Sequence, residues 1–211
     1  FGAGIARVFM KPYNFKVWAH PVDHMSIDWL GERVSLPNLE QILRNVIAGQ
    51  DQVSWGPNNK FKYPMYGGTG GLYTPFMRYI GDRIHLNKNA VAVDAAAKQV
   101  TFSDGEIVDY DVLFTTMPLD LLINRMPDAP ETVREQTHHL HHSSGLIVGV
   151  GVNRPVDSSK CWIYFPEPSA PFYRTTYLNN YSPYITPDPD AYHLLLTETS
   201  FARRLSCAAF C

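Results

Sequence analysis

Arg33 and Arg174 are the two residues whose surroundings most suggest chemistry. Arg174 closes Pro171-Phe172-Tyr173-Arg174, which follows Trp162-Ile163-Tyr164-Phe165-Pro166-Glu167, and Arg33 closes Trp29-Leu30-Gly31-Glu32-Arg33. A guanidinium among aromatic side chains is costly to bury without a counter-charge. Two partners would satisfy it. A carboxylate from Glu32 or Glu167 would make a structural ion pair. A phosphate would be clamped by two parallel N–H donors, the geometry that arginine matches best. Residue types alone leave these readings even. A third aromatic stretch, Pro12-Tyr13-Asn14-Phe15-Lys16-Val17-Trp18, supplies further flat surface and polar groups.

Gly67-Gly68-Thr69-Gly70-Gly71 is the next signal. Four glycines in five residues remove Cβ atoms from most of a turn, so backbone can lie against a flat ring or a sugar. A flexible turn is the alternative. The flanking Phe61, Tyr63, Met65, Leu72 and Tyr73 favour a buried, ordered loop.

Other candidates carry less. Gly2-Ala3-Gly4 lacks the third glycine and the preceding strand of a dinucleotide fingerprint, and reads as a helix start. His138-His139-Leu140-His141-His142 has no acidic or thiolate companion and reads as a solvated face, with no metal assigned. Asp188-Pro189-Asp190 reads as an exposed loop. Cys207-Ala208-Ala209-Phe210 resembles a prenylation box, but Cys211 follows it. No nucleophile elbow or metal signature appears, so no catalytic side chain is assigned.

The elements that must position these groups are readable in part. Leu39, Ile42, Leu43, Val46 and Ile47 repeat at helical spacing between Asn38, a suitable N-cap, and Gly49, a suitable left-handed stop. The single apolar face predicts packing on a larger body. Val91 and Val93 alternate, and Val100-Thr101-Phe102, Asp104-Gly105 and Ile107-Val108 predict a hairpin with a two-residue turn. Residues 111–116 read as a buried strand, 118–125 as a short helix, and 131–142 as a polar helical stretch. Residues 145–152 read as a buried strand whose glycines admit close backbone approach. Residues 162–165, 172–178 and 192–197 predict an antiparallel sheet. Elements alternate without a regular βαβ repeat, so the expected class is α+β or mixed α/β. Three regions are expected: a helical one at 1–60, one with the glycine loop and hairpin at 61–120, and a helix followed by an antiparallel sheet at 121–211. The resemblance drawn below implies that the first binds substrate, that the second is part of a cofactor domain and that the third belongs to the substrate domain.

Composition is that of an ordinary globular chain, 211 residues with 45% hydrophobic and 18% charged. A net charge of −2 gives no reason to expect nucleic acid or an anionic membrane as partner. No apolar run reaches the roughly 18 residues of a membrane-spanning helix. Three cysteines, unevenly placed, argue against a disulfide framework and favour a reducing, cytoplasmic setting. The chain opens on Phe1 and reads as an internal piece of a longer polypeptide. Its oligomeric state is open, a homo-oligomer included.

Taken together, the aromatic stretches resemble the eukaryotic-type UDP-galactopyranose mutases of the amine-oxidase-like flavoprotein superfamily. The matching runs are Phe9 to Trp18, Trp29 to Arg33, Trp55 to Asn58, Gly67 to Gly71, Cys161 to Glu167, Pro171 to Arg174 and Asn180 to Pro183, in family order. Only the glycine loop is shared widely with other flavin amine oxidases. The resemblance implies interconversion of UDP-galactopyranose and UDP-galactofuranose, with NADPH reducing FAD and flavin N5 attacking the anomeric carbon. That accounts for the missing side-chain nucleophile.

The resemblance further implies that Arg33 and Arg174 hold and stabilise the diphosphate. Phe9 would stack on uracil and Asn14 would hydrogen-bond in the nucleotide pocket. Trp18, Asn58, Trp162 and Tyr164 would line the sugar and diphosphate region. Gly67, Gly68, Thr69, Gly70 and Gly71 would approach the flavin, and Val91 would meet the adenine of FAD through its backbone. The family's opening dinucleotide fingerprint, mobile histidine loop and closing FAD-binding segment have no match here, and FAD is expected to need contacts from beyond both ends. An amine-oxidase-like oxidoreductase and a non-catalytic remnant of the mutase are the alternatives.

Overall fold

The computed structural model describes residues 2–28, 38–50 and 60–202. They form two compact units: Phe1–Pro75 together with Ser143–Cys211, and Phe76–His142. This partition differs from the three consecutive regions expected from sequence. The glycine-rich segment belongs with the later sheet, and the hairpin stands in the other unit.

In the first unit, α1 (Gly2–Ile5), a π-helical turn (Ala6–Met10) and α2 (Lys11–Trp18) follow one another without a break. The Lys11 N–H reaches back to the Ala6 carbonyl, one residue further than in an α-helix. Pro12 follows directly, and the widened turn relieves the clash a proline ring has with the carbonyl four residues back. Ala19 ends the helix in the left-handed region at φ 49°, its N–H bonded to Phe15 O at 2.8 Å.

α3 (Leu39–Ala48) matches its sequence signals: Asn38 accepts the Gln41 N–H at 2.9 Å, and Gly49 takes φ 62°. Its apolar face, however, is uncovered, with Ile47 87% exposed.

The sheet of this unit comprises β4 (Ser143–Val152), β5 (Trp162–Tyr164), β6 (Arg174–Tyr177) and β7 (His193–Ala202), all antiparallel in the order β4-β7-β6-β5. Helix α2 packs against β7. Here β4 corrects the expectation of a buried strand. It is an edge strand exposed along most of its length, and Gly145 and Gly151 have nothing within 4 Å of where a Cβ would stand. The buried groups of the unit are mainly polar: Thr175, Thr176, Asn179, Ser182, His193 and Glu198. Asn179, Ser182, His193 and Glu198 are tied into the fold by side-chain hydrogen bonds; His193 Nδ1, for example, lies 2.7 Å from Arg154 O.

The second unit opens on a short helix, α5 (Met77–Ile80), and holds a three-stranded antiparallel sheet, β1 (Ala90–Asp94), β2 (Gln99–Phe102) and β3 (Ile107–Asp109). Its buried apolar residues are Val93 and Val100. The turn from β2 to β3 is longer than the two residues expected. Phe102 N–H bonds Glu106 O, leaving Ser103, Asp104 and Gly105 in the loop with Gly105 at φ 88°. A left-handed glycine at the third position fits a three-residue hairpin. Helices α6 (Leu119–Asn124) and α7 (Glu131–Gln136) lie where sequence places them, though α7 gives way to a short 3₁₀ turn at Thr137–His139.

The segment 111–116 is not the buried strand expected. It forms no ladder with the described residues, and Phe114 is 93% exposed. An apolar run becomes a strand only by pairing with a neighbour's hydrogen-bonding edge, and 111–116 is not added to the edge that β3 leaves open. Among the described residues, no helix is long and apolar enough to cross a membrane, and no cluster of potential metal ligands occurs.

Candidate functional site

Strand register builds the site. Tyr164 of β5 lies opposite Arg174 of β6, and Arg174 lies opposite Glu198 of β7. Residues directly opposite in adjacent strands point to the same face, so the three form a row across the sheet. Trp162, two residues from Tyr164, shares that face.

Arg174 is held by Glu198. Its Nε donates to Oε1 at 2.9 Å and its Nη2 to Oε2 at 2.7 Å, while the Tyr173 hydroxyl donates to Oε2 at 2.8 Å. The pair is lopsided in exposure: the arginine side chain is 33% exposed and the glutamate 12%. Of the carboxylates anticipated from sequence, Glu32 lies outside the described residues; the pairing seen for Arg174 is with Glu198, not with Glu167. Burial alone would lower the Arg174 pKa; the Glu198 hydrogen bond and charge more than offset it.

Helix α2 lays aromatic rings over this row. Tyr13 meets Tyr164 edge-on at 5.2 Å and Tyr173 at 6.2 Å, and stacks with Phe9 of the π turn at 5.3 Å. Burial pushes the Tyr13 hydroxyl well above its ordinary pKa, with Tyr164 adding to the effect; Tyr164 is raised for the same reason, Arg174 partly opposing it. A second aromatic group continues the wall. Phe61 stacks on Trp162 at 5.3 Å, and Tyr181 meets Phe61 at 4.8 Å and Tyr63 at 5.1 Å. The Tyr181 hydroxyl is pushed up to about 12, chiefly by burial.

The other sequence candidates divide. Asn14, on α2, is half-buried, and its amide donates to Met10 O at 2.7 Å. Trp18 is the last residue of α2 and partly exposed. Arg33 and Asn58 lie outside the described residues. Val91 stands in the second unit at a register shift of β1: Ala90 and Ala92 face Phe102 and Thr101, so Val91 is the extra residue of a bulge.

The glycine-rich segment is not the buried loop expected but the start of α4 (Gly68–Tyr73), with exposed neighbours. Gly67 and Gly68 take φ 72° and 59°, and a Cβ on Gly71 would stand 2.4 Å from Tyr66 O. Local geometry therefore explains three of the four glycines. Gly70 is different, since nothing lies within 4 Å of its Cβ position. Ser182, 1% exposed, anchors the approach to this turn by donating to Met65 O at 2.5 Å.

Sequence reasoning assigned no role to Glu198, Tyr13, Tyr173, Tyr181 or Lys16. Glu198 carries no local signal, because only register reveals that it faces Arg174. The tyrosines and Lys16 lie inside or beside the aromatic stretches already singled out.

The arrangement is a sheet face with an arginine held side-on by a carboxylate and walled by aromatic rings, on a mixed helix and antiparallel-sheet fold. No family model matches the chain. The solved structure of reduced UDP-galactopyranose mutase matches with a TM-score of 0.85 and 38% identity, over 96% of this chain and 45% of that one. A protein from Pyrococcus furiosus matches with a TM-score of 0.54 and 14% identity, over 68% of this chain and 37% of that one, and shows the fold alone. Over nearly its whole length the chain is similar to a UDP-galactopyranose mutase, and it spans a little under half the length of that solved mutase.

Proposed function

We propose that this chain supplies the UDP-sugar wall of a UDP-galactopyranose mutase, an isomerase that interconverts the pyranose and furanose forms of UDP-galactose. The reading rests on one observation above the rest: Arg174 stands partly exposed among Tyr13, Tyr164 and Tyr173, in a chain 38% identical to a solved mutase. Glu198 engages Nε and Nη2 and Tyr164 stands within hydrogen-bond reach of the guanidinium, so an incoming diphosphate would take the N–H donors that Glu198 does not hold. Arg174, with Arg33, holds the diphosphate and takes up its charge as the bond to the anomeric carbon breaks. Phe9 stacks on uracil beside Tyr13, and Asn14 hydrogen-bonds the base. Trp18, Asn58, Trp162 and Tyr164 line the sugar and diphosphate and exclude water.

At Gly70 nothing lies within 4 Å of the Cβ position, so a flat cofactor could approach the backbone there as it could not at Gly71. Gly67, Gly68, Thr69, Gly70 and Gly71 would hold FAD there, and Val91 would offer it backbone. Reduced FAD, when bound, supplies the nucleophile that the side chains lack, with NADPH as its reductant.

Calorimetric titration of the wild-type chain and Arg174→Lys with UDP and with uridine tests the reading. Lysine keeps the charge but loses the planar fork, so UDP affinity is expected to fall while uridine affinity holds. Equal UDP affinity in both proteins would assign Arg174 to its ion pair with Glu198 alone.

A further inference from the structure

The turn between β5 and β6 contains Pro166, Pro168 and Pro171, and so has more carbonyl acceptors than N–H donors. One side chain, from a distant part of the sequence, answers that excess. Lys16 Nζ of α2 donates to Phe165 O at 2.7 Å, Glu167 O at 2.9 Å, Ala170 O at 2.8 Å and Phe172 O at 2.8 Å. An ammonium has three N–H donors and no acceptor, so the four carbonyls share three hydrogens, and such a ring is the partner it prefers when water is withdrawn.

The position of Lys16 on its helix gives this contact consequence. Tyr13 lies one turn earlier on α2 and meets Tyr164 and Tyr173. The carbonyls that Lys16 gathers begin right after Tyr164 and end two residues before Arg174. The ammonium therefore ties the helix half of the aromatic wall to the strand half at a point where no regular ladder joins them.

We propose that Lys16 is a positioning residue for the UDP site: its ammonium braces the 165–172 turn and thereby sets Tyr173 and Arg174 against α2. It does not touch the ligand. The inference rests on the functional reading above, and deepens it by naming what holds the arginine wall in register.

Two measurements on the 211-residue chain test it, one of them independent of any ligand. Hydrogen exchange of the segment 162–177 reads the brace directly, and Lys16→Met is expected to speed exchange at the Phe165 and Tyr173 amides. Calorimetry with UDP reads the consequence, and the same variant is expected to bind roughly 10- to 100-fold more weakly, the scale of loss when a group is displaced by about 1 Å. Lys16→Ala should regain both protection and UDP affinity when propylammonium is added, because the cation can enter the vacated ring of carbonyls. Tetramethylammonium, which has no N–H, should restore neither.

Unchanged exchange in Lys16→Met overturns the brace. Faster exchange with unchanged UDP affinity overturns the positioning role and leaves Lys16 structural. Failure of the wild-type chain to bind UDP overturns the functional reading itself and with it the positioning role, whereas the exchange result still decides the brace.

Discussion

The row Tyr164–Arg174–Glu198 and the strand β4 lie in the same sheet, yet they were assembled in opposite ways. The row is short in sequence signal and dense in contacts: one arginine and one tyrosine hydroxyl converge on a single carboxylate, with rings from α2 above them. Strand β4 is long, regular and apolar, and its side chains remain exposed. The apolar face of α3 shares that fate. Where polar groups meet, the fold is over-determined. Where only hydrophobicity speaks, nothing among the described residues covers it, and such surface is the kind that other protein ordinarily buries.

The contrast can be broken first at Arg174. Arg174→Ala leaves Glu198 buried without its counter-charge, and about 3 kcal/mol of stability should disappear, the low end for a broken buried pair because the guanidinium is one-third exposed. Urea unfolding measures it. Arg174→Ala combined with Glu198→Gln should recover part of that loss without recovering UDP affinity.

A smaller but still marked effect is expected at the glycine turn. Gly71→Ala forces a Cβ to within 2.4 Å of the Tyr66 carbonyl, and should cost about 1–3 kcal/mol as the backbone shifts. Gly70→Ala meets open space and should leave the melting temperature unchanged or higher. If the two substitutions cost the same, the turn is not packed as described.

Alkaline titration sharpens the aromatic side of the comparison. In the folded chain burial raises Tyr181 from an ordinary value near 10 to about 12, and Tyr13 is pushed up as well. The unfolded chain loses these protons first. Stability is therefore complete below pH 10 and declines as pH rises toward about 12. Tyrosinate absorbance should show two or more hydroxyls that titrate only as the fold opens.

The regular elements should respond least. Asn38→Ala removes the side-chain cap of α3 and should cost about 1 kcal/mol, visible as lost helical circular dichroism at intermediate urea. Leu146→Lys on β4 should change stability by no more than about 0.5 kcal/mol, since the side chain is already exposed. It should, however, reduce self-association in sedimentation, because a charge on an edge strand opposes edge-to-edge pairing.

How much was legible follows the same division. The cap and stop of α3, the hairpin of the second unit, α6 and the strands of the antiparallel sheet are all visible in local spacing and in the Asn38, Gly49 and Gly105 signals. The glycine run stands out in the sequence, but composition does not distinguish a buried loop from a positive-φ turn that begins a helix, which is what the fold contains. Residues 111–116 and 145–152 have the hydrophobicity of buried strands, and hydrophobicity alone says nothing of whether a cover exists.

The sequence by itself determined the local elements, the aromatic stretches and the resemblance they carry, since these depend on residue types within a few positions of one another. The tertiary structure decided the partners. Glu198 faces Arg174 because of the register of β6 and β7, and Lys16 reaches the 165–172 turn because α2 lies on that sheet. Both contacts join residues far apart in the chain, and what selects them is mutual satisfaction of buried charge and hydrogen bonds.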